Sequence, residues 1–248
     1  DDALSCMRAA STVDIAQATA SDSAFMPNVD GVFIPDALAQ LFWTGDFQQV
    51  PIFAGVTENE GSLFVREESI STLGELDERL EFWGNWMGIT DLETFKALYS
   101  YERYGDYQLA YDHMYGDLIF ACPLRFFLER AASHVPTRAY HFTHVPSWNE
   151  FYDQDGWGAY HSSELSFIFG TFSEYLTPEE NALSERMQTH WITAAQTKSD
   201  STIEDWPLFV QGESWEGGNW LEIGTDQSSV VTGVNQEECD FIATQWYQ

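Results

Sequence analysis

The stretch from residue 50 to residue 57, Val-Pro-Ile-Phe-Ala-Gly-Val-Thr, restricts this chain more than any other. It is short, apolar and β-favouring, without the alternation of a strand that has one wet face, so it reads as a strand covered on both sides. Such a strand belongs to a sheet layered with helices. Helical signals follow in turn. Thr72 with Glu75 forms a capping box, after which Leu73, Leu76, Leu80, Trp83 and Met87 recur at spacings of three and four. From Leu118 to Ala132 the residues Leu124, Phe127, Leu128 and Ala131 share a helical face, with Cys122 at its entrance and Pro123 in its first turn. A second strand is expected over Ala139 to His144, closed by Pro146. Thr177-Pro178-Glu179-Glu180 starts another helix, lined by Leu183, Met187, Trp191 and Ala194. Strands alternating with helices predict an α/β class with a mainly parallel sheet. No repeat or linker divides residues 1–248, so one domain is expected.

Charge narrows the range of partners. Ten Lys and Arg stand against forty Asp and Glu, a formal charge of -30. That field repels phosphate backbones and anionic lipid head groups, so neither a nucleic acid nor a membrane surface is an expected partner. Disorder is the other reading of such charge, but ten Trp, eleven Tyr and eighteen Phe oppose it. No apolar run in the sequence approaches the length of a membrane span, so no integral membrane contact is expected. The chain opens Asp1-Asp2-Ala3-Leu4-Ser5-Cys6, with no signal-peptide pattern, as a processed or truncated chain would. Three cysteines, Cys6, Cys122 and Cys239, leave one without a partner within the chain. An unmatched Cys and an acidic balance favour a secreted protein.

Several side chains are candidates for chemistry. Glu60 follows the strand ending at Thr57, and His161 lies in the loop after the second strand; strands aim the residues at their carboxyl ends into one crevice. A turn carboxylate is more often a cap, and a loop imidazole more often a surface group. His141 and His144 could suggest metal ligands, but a spacing of three on an extended strand sends their rings to opposite faces, and no metal site is expected. Trp148, Tyr152, Trp157 and Tyr160 could line an apolar substrate pocket or pack their own loop. Glu58, Glu67 and Glu68 read as solvated.

At these residues the chain resembles the type-B carboxylesterases, the family of the cholinesterases and their lipase relatives. Phe25-Met26-Pro27-Asn28-Val29-Asp30-Gly31, Ile34-Pro35-Asp36, Gly45-Asp46-Phe47 and Val50-Pro51-Ile52 run into Gly55-Val56-Thr57-Glu58-Asn59-Glu60-Gly61-Ser62, which resembles the block carrying the family's catalytic acid. Gly158-Ala159-Tyr160-His161-Ser162-Ser163-Glu164-Leu165-Ser166-Phe167-Ile168-Phe169-Gly170 resembles the segment with the catalytic histidine. The resemblance gives Glu60 and His161 those two roles and makes Glu164 a buried carboxylate behind them. It implies the carboxyl-terminal portion of an α/β-hydrolase fold, with no cofactor.

The family's nucleophile sits in a Gly-x-Ser-x-Gly elbow that precedes the acid and the histidine. No such pentapeptide occurs in these 248 residues; Gly212-Glu213-Ser214-Trp215-Glu216 lacks the last Gly, follows His161, and reads as loop. Nor is there a His-Gly-Gly-Gly oxyanion loop. The resemblance therefore implies a missing amino-terminal part that completes the sheet and supplies the serine. It also pairs Cys122 with Cys239 and leaves Cys6 to a cysteine outside this chain, as in a nicked, two-part molecule. The expected activity is that of a serine carboxylesterase or lipase, hydrolysing carboxylic esters through an acyl-enzyme, with a small ester as substrate and its acyl and alcohol parts left open. A non-catalytic adhesion or scaffold member of the same fold, or a carbohydrate-active protein, is the alternative.

Overall fold

The computed structural model describes residues 2–20, 27–150, 156–196, 203, 206–209, 217–226 and 228–246. They fall into two compact units, 1–41 and 42–248. In the first, helices Asp2–Ala9 and Thr12–Ala18 bury none of their residues, and Ser11 caps the second by accepting from the Asp14 amide. Cys6 is an exposed free thiol. One Asp30 oxygen accepts from the amides of Val32, Phe33 and Ile34, closing the turn at Gly31. Of the motif that begins this segment, Phe25 and Met26 lie outside the described residues, as do Tyr152 and Ser214 in the second unit.

The second unit is built on four strands in spatial order β1 (Ile52–Thr57), β2 (Thr137–Phe142), β3 (Asn219–Ile223) and β4 (Ser228–Thr232). β1, β2 and β3 run parallel, and β4 returns antiparallel. The register sets Val56 beside His141 and Glu222, and Gly55 beside Tyr140 and Leu221. Because strand side chains alternate, Val56, Ala139 and Trp220 share one face, while Tyr140, Phe142, Leu221 and Ile223 share the other. Both faces are covered, as the apolar run at 50–57 requires. β1 reaches full burial only at Val56 and Thr57, each 3% exposed. It is an outer strand: among the described residues no strand pairs with its other edge.

Among the described residues the longer helices around this sheet are α1 (Leu73–Trp86), α2 (Leu92–Leu98), α3 (Tyr107–Gly116), α4 (Cys122–Ala131), α5 (Leu165–Phe169), α6 (Pro178–Gln196) and α7 (Gln236–Trp246). Leu128 of α4 packs with Val56, Ala139 and Trp220; Leu183, Met187 and Ala194 of α6 pack with Phe142, Leu221 and Ile223 on the opposite face. α1, α2, α3 and α7 gather Leu76, Leu80, Phe95, Tyr111, Met114 and Ile242 into a separate helical core. Cys122 and Cys239 are disulfide-bonded at a sequence separation of 117, joining α4 to α7. By the chain-entropy argument, closing so long a loop contributes about 4–5 kcal/mol.

The capping boxes form as the sequence predicts. Thr72 Oγ1 accepts from the Glu75 amide while Glu75 accepts from the Thr72 amide. Thr177 and Glu180 repeat the exchange. Three expectations shift. Leu73 opens the α1 stripe but is 55% exposed, so the buried face starts at Leu76. The second strand runs from Thr137 to Phe142, because its ladder with β1 begins at the buried Thr137, and His144 turns off the sheet towards α6. Between α3 and α4 the helix widens to a π turn over Asp117–Ala121, which no periodicity announces.

Candidate active site

The parallel strands end on one side of the sheet, and there two loops meet. Glu58 donates its amide to Phe142 O at 2.9 Å, ending the β1–β2 ladder, and Asn59 donates to Ala159 O at 2.9 Å. The Asn59 side chain accepts from the Ala159 amide at 3.0 Å. Ser62 Oγ lies 2.9 Å from Asn59 O and 2.8 Å from Trp157 O. The turn after β1 and the loop before α5 are thus stitched together through backbone groups that would otherwise be buried without partners.

Glycine makes this approach possible. A Cβ on Gly61 would fall 1.9 Å from Asp112 O of α3, and one on Gly158 would fall 2.0 Å from Asn59 Oδ1. Gly158 also holds a φ of +65°, a conformation that side chains with a Cβ disfavour. No other residue fits either position without moving the loops apart.

Glu60 and His161 converge here. Glu60 Oε2 lies 2.6 Å from His161 Nδ1, and Glu60 Oε1 accepts from the Thr57 amide at 2.7 Å. Both carboxylate oxygens are therefore engaged, and Glu60 is only 7% exposed. A carboxylate accepts and does not donate, so the proton between the two groups belongs to Nδ1, and Nε2 is directed away from Glu60. The His161 side chain keeps 33% exposure, and no described residue bonds to its Nε2. Phe120 and Phe64 flank the imidazole at centroid distances of 4.7 and 5.2 Å. The π turn brings Phe120 to the ring, and the short helix Ser62–Val65 brings Phe64.

Glu164, three residues past the histidine and 8% exposed, accepts from the Tyr140 hydroxyl at 3.3 Å. Burial is the main cause raising its carboxyl above the usual range, and the nearby Glu60 adds to the rise. Tyr140 reaches Glu164 from the sheet face. Its ring crosses Gly55, where a Cβ would lie 2.3 Å from the ring.

Of the aromatic candidates, Trp148 is 2% exposed, packed at a tilt against Phe167 and Phe172, and donates from Nε1 to the Tyr160 hydroxyl at 3.0 Å. Trp157 packs edge-on against Tyr160. No ring contact joins these three to the imidazole. The aromatic pair against it, Phe64 and Phe120, escaped the sequence reading. Phe64 stands four residues after Glu60, a spacing that could have flagged it; Phe120 depends on the π turn.

Two carboxylates read as solvated are engaged instead. Glu58 Oε2 lies 2.9 Å from His141 Nε2, which lowers its titration, and Glu68 pairs with Arg79 at 2.7 Å while accepting from the Tyr111 hydroxyl. Partners contributed from distant helices and strands overrode the local pattern. Among the described residues no group of three His, Cys, Asp or Glu is arranged to hold a metal ion.

A carboxylate and an imidazole joined at the carboxyl ends of parallel strands, between helical layers, define part of an α/β-hydrolase. Sequence comparison agrees. The carboxylesterase family model matches residues 1–242, and the chain belongs to that family. It is 32% identical to human cocaine esterase over 204 residues, covering 75% of this chain and 36% of that protein. Over 243 residues it is 24% identical to acetylcholinesterase from Bungarus fasciatus, covering 88% of this chain and 38% of the relative. Mouse cholinesterase gives 26% identity with the same two coverages. The chain spans less than two fifths of the length of these three relatives.

Proposed function

We propose that this chain is the acid-and-histidine portion of a serine carboxylesterase or lipase. One observation carries the reading: Glu60 and His161 bond at 2.6 Å while Nε2 faces away from Glu60 on a ring with 33% exposure. That is the arrangement of a general base held in one tautomer. The nucleophile is a serine outside these 248 residues, on an amino-terminal portion that adds to the outer edge of β1 and is joined through Cys6. The absence of any Gly-x-Ser-x-Gly in the sequence and the short share of the relatives that the chain matches support a serine outside these residues; the edge of β1 left unpaired among the described residues and the exposed Cys6 thiol support those points of attachment.

The chemistry then runs in two halves. His161 Nε2 takes the serine proton as the oxygen attacks the ester carbonyl, and Glu60 stabilises the imidazolium. The tetrahedral adduct collapses, the alcohol leaves with the proton returned by His161, and an acyl-serine remains. Water, deprotonated by the same nitrogen, attacks the acyl carbon; as the second adduct collapses, His161 returns that proton to the serine oxygen and the carboxylic acid is released. Glu164 is the buried carboxyl behind the pair. Phe64 and Phe120 keep water from the ring's faces, and Trp148, Trp157 and Tyr160 shape the loop that carries the histidine. The Cys122–Cys239 disulfide supports an oxidising, extracellular setting.

Labelling of the intact protein with a fluorophosphonate tests the reading. A covalent adduct on a serine upstream of this chain, abolished by His161→Ala, is expected. A folded protein that forms no adduct would favour the adhesion or carbohydrate readings instead.

A further inference from the structure

Beneath the turn that carries Glu60 lies a second set of polar groups, unused in the mechanism above. Asp112 of α3 has no exposure at all, and its backbone oxygen is the atom on which Gly61 packs. Its Oδ1 accepts from Gln108 Nε2 at 2.7 Å, one helical turn earlier. Gln108 in turn grips the segment after the acid, donating to Val65 O at 3.3 Å and accepting from the Ile70 amide at 2.7 Å. From that same segment Arg66 points back, with Nη1 3.6 Å from Asp112 Oδ2. The other arm of the guanidinium abuts the histidine loop: a Cβ on Gly156 would fall 2.8 Å from Arg66 Nη2.

We propose that Asp112 and Arg66 are positioning residues that clamp the Glu60 turn and the His161 loop together, so that the 2.6 Å bond between them is held in register. The clamp touches both loops from one buried charge. Asp112 fixes the acid turn through α3, and Arg66, anchored on Asp112, fixes the approach to Gly156, five residues before the imidazole. Arg66 keeps 24% side-chain exposure and its pairing with the buried Asp112 at 3.6 Å contributes little to overall stability, so the two roles can be told apart by measuring unfolding and the bond between the loops separately. A bond between two loops, by contrast, depends on a few tenths of an ångström, the distance that such a clamp controls. Burial also lifts Asp112 to about 6, against the pull of Gln108 and Arg66, so above that pH the charge that anchors Arg66 is present.

The consequence for turnover rests on the hydrolase reading; the geometry does not, and the test separates the two. The probe is the far-downfield proton resonance of His161 Nδ1–H in the intact protein carrying this chain, assigned by its loss in His161→Gln. Arg66→Ala, at a partly exposed site that the fold tolerates, and Asp112→Asn, which keeps shape and removes charge, are expected to move that resonance upfield and speed its exchange with water, with thermal unfolding of Arg66→Ala unchanged. Arg66→Lys should restore part of the signal. In an active enzyme the same variants lower kcat at least tenfold with KM unchanged. If Arg66→Ala and Asp112→Asn leave the resonance where it is, the clamp is overturned whatever the activity. If the resonance moves but no ester is hydrolysed by the unsubstituted protein, the function is wrong and the clamp stands.

Discussion

Two histidine–glutamate pairs in this chain look alike by distance and differ in everything else. His161 Nδ1 meets Glu60 at 2.6 Å, and His144 Nε2 meets Glu180 at 2.8 Å. The second pair is closed. His144 Nδ1 is taken by Thr225 Oγ1 at 2.6 Å, and Glu180 accepts in addition from the Ser147 amide, the Ser147 hydroxyl and the Thr177 amide at 2.7, 2.5 and 2.9 Å. His144 keeps 9% side-chain exposure and Glu180 2%. Every bonding direction of that pair is spent on holding the segment after β2 to the start of α6 and to the turn between β3 and β4. The first pair spends Glu60 completely but leaves one side of the imidazole open. A short bond between histidine and carboxylate is therefore no sign of chemistry by itself; the sign is a second nitrogen left without a structural partner on a ring that solvent reaches.

Substituting each carboxylate would break or confirm this contrast most sharply. Glu60→Gln should lower kcat about 10⁴-fold, the loss expected when the orienting carboxylate of such a triad becomes an amide, with the unfolding temperature almost unchanged. Glu180→Ala should do the reverse, costing about 3 kcal/mol in stability because it strands a buried imidazole and a helix cap, with turnover per folded molecule preserved. Ester turnover and urea unfolding on the same two preparations decide it. A catalytic loss in Glu180→Ala as large as in Glu60→Gln would erase the distinction.

The sequence made one of these pairs legible and hid the other. Glu60 and His161 stand in long motifs; the strand ahead of Glu60 sets where it points, and the bonds of Asn59 and Ser62 to the later loop set His161. Glu180 was read only as the closing member of a capping box, correctly, because that exchange is local to Thr177–Glu180. Its bonds to His144 and Ser147 come from more than thirty residues away, and no spacing encodes them. The same limit explains β3 and β4, short strands whose pairing is set by the sheet, and Phe120, placed by a π turn. Periods of two and 3.6 show which face is buried, but not what meets it.

Acid and alkali should act on the saturated and unsaturated carboxylates in opposite directions. Burial works against the charge on Glu180, but the Ser147 hydroxyl, the Thr177 and Ser147 amides and His144 outweigh it and bring its pKa down to about 2. Its contribution is present above the ordinary range near 4.5 and is lost as pH falls towards 2. Asp117, 2% exposed, accepts among the described residues from the Tyr99 and Asn235 side chains, and burial with the nearby Glu238 lifts it to about 8. A raised carboxyl contributes fully below its unfolded value, and that contribution is lost as pH rises through 8. Asp117→Asn should therefore gain on the unsubstituted protein by roughly 2 kcal/mol between pH 5 and pH 7, read from urea midpoints at each pH. A constant difference across that range would show that Asp117 is already charged in the fold.

The smallest effect on turnover separates the two aromatic groups around the histidine. Phe64 stacks on Phe120 at 5.4 Å and both face the imidazole, so Phe64→Ala removes one wall from the His161 ring without opening a cavity in the core, since Phe64 is 45% exposed. A roughly tenfold fall in kcat/KM is expected, about 1.4 kcal/mol, with stability little changed. Trp148→Phe removes the indole donor to Tyr160 and shrinks a buried ring, which should cost about 2–3 kcal/mol of stability and leave kcat/KM alone. The two measurements together place the substrate. If Trp148→Phe lowers kcat/KM and Phe64→Ala does not, the ester lies against the Trp148 loop, and the ring pair beside His161 is packing.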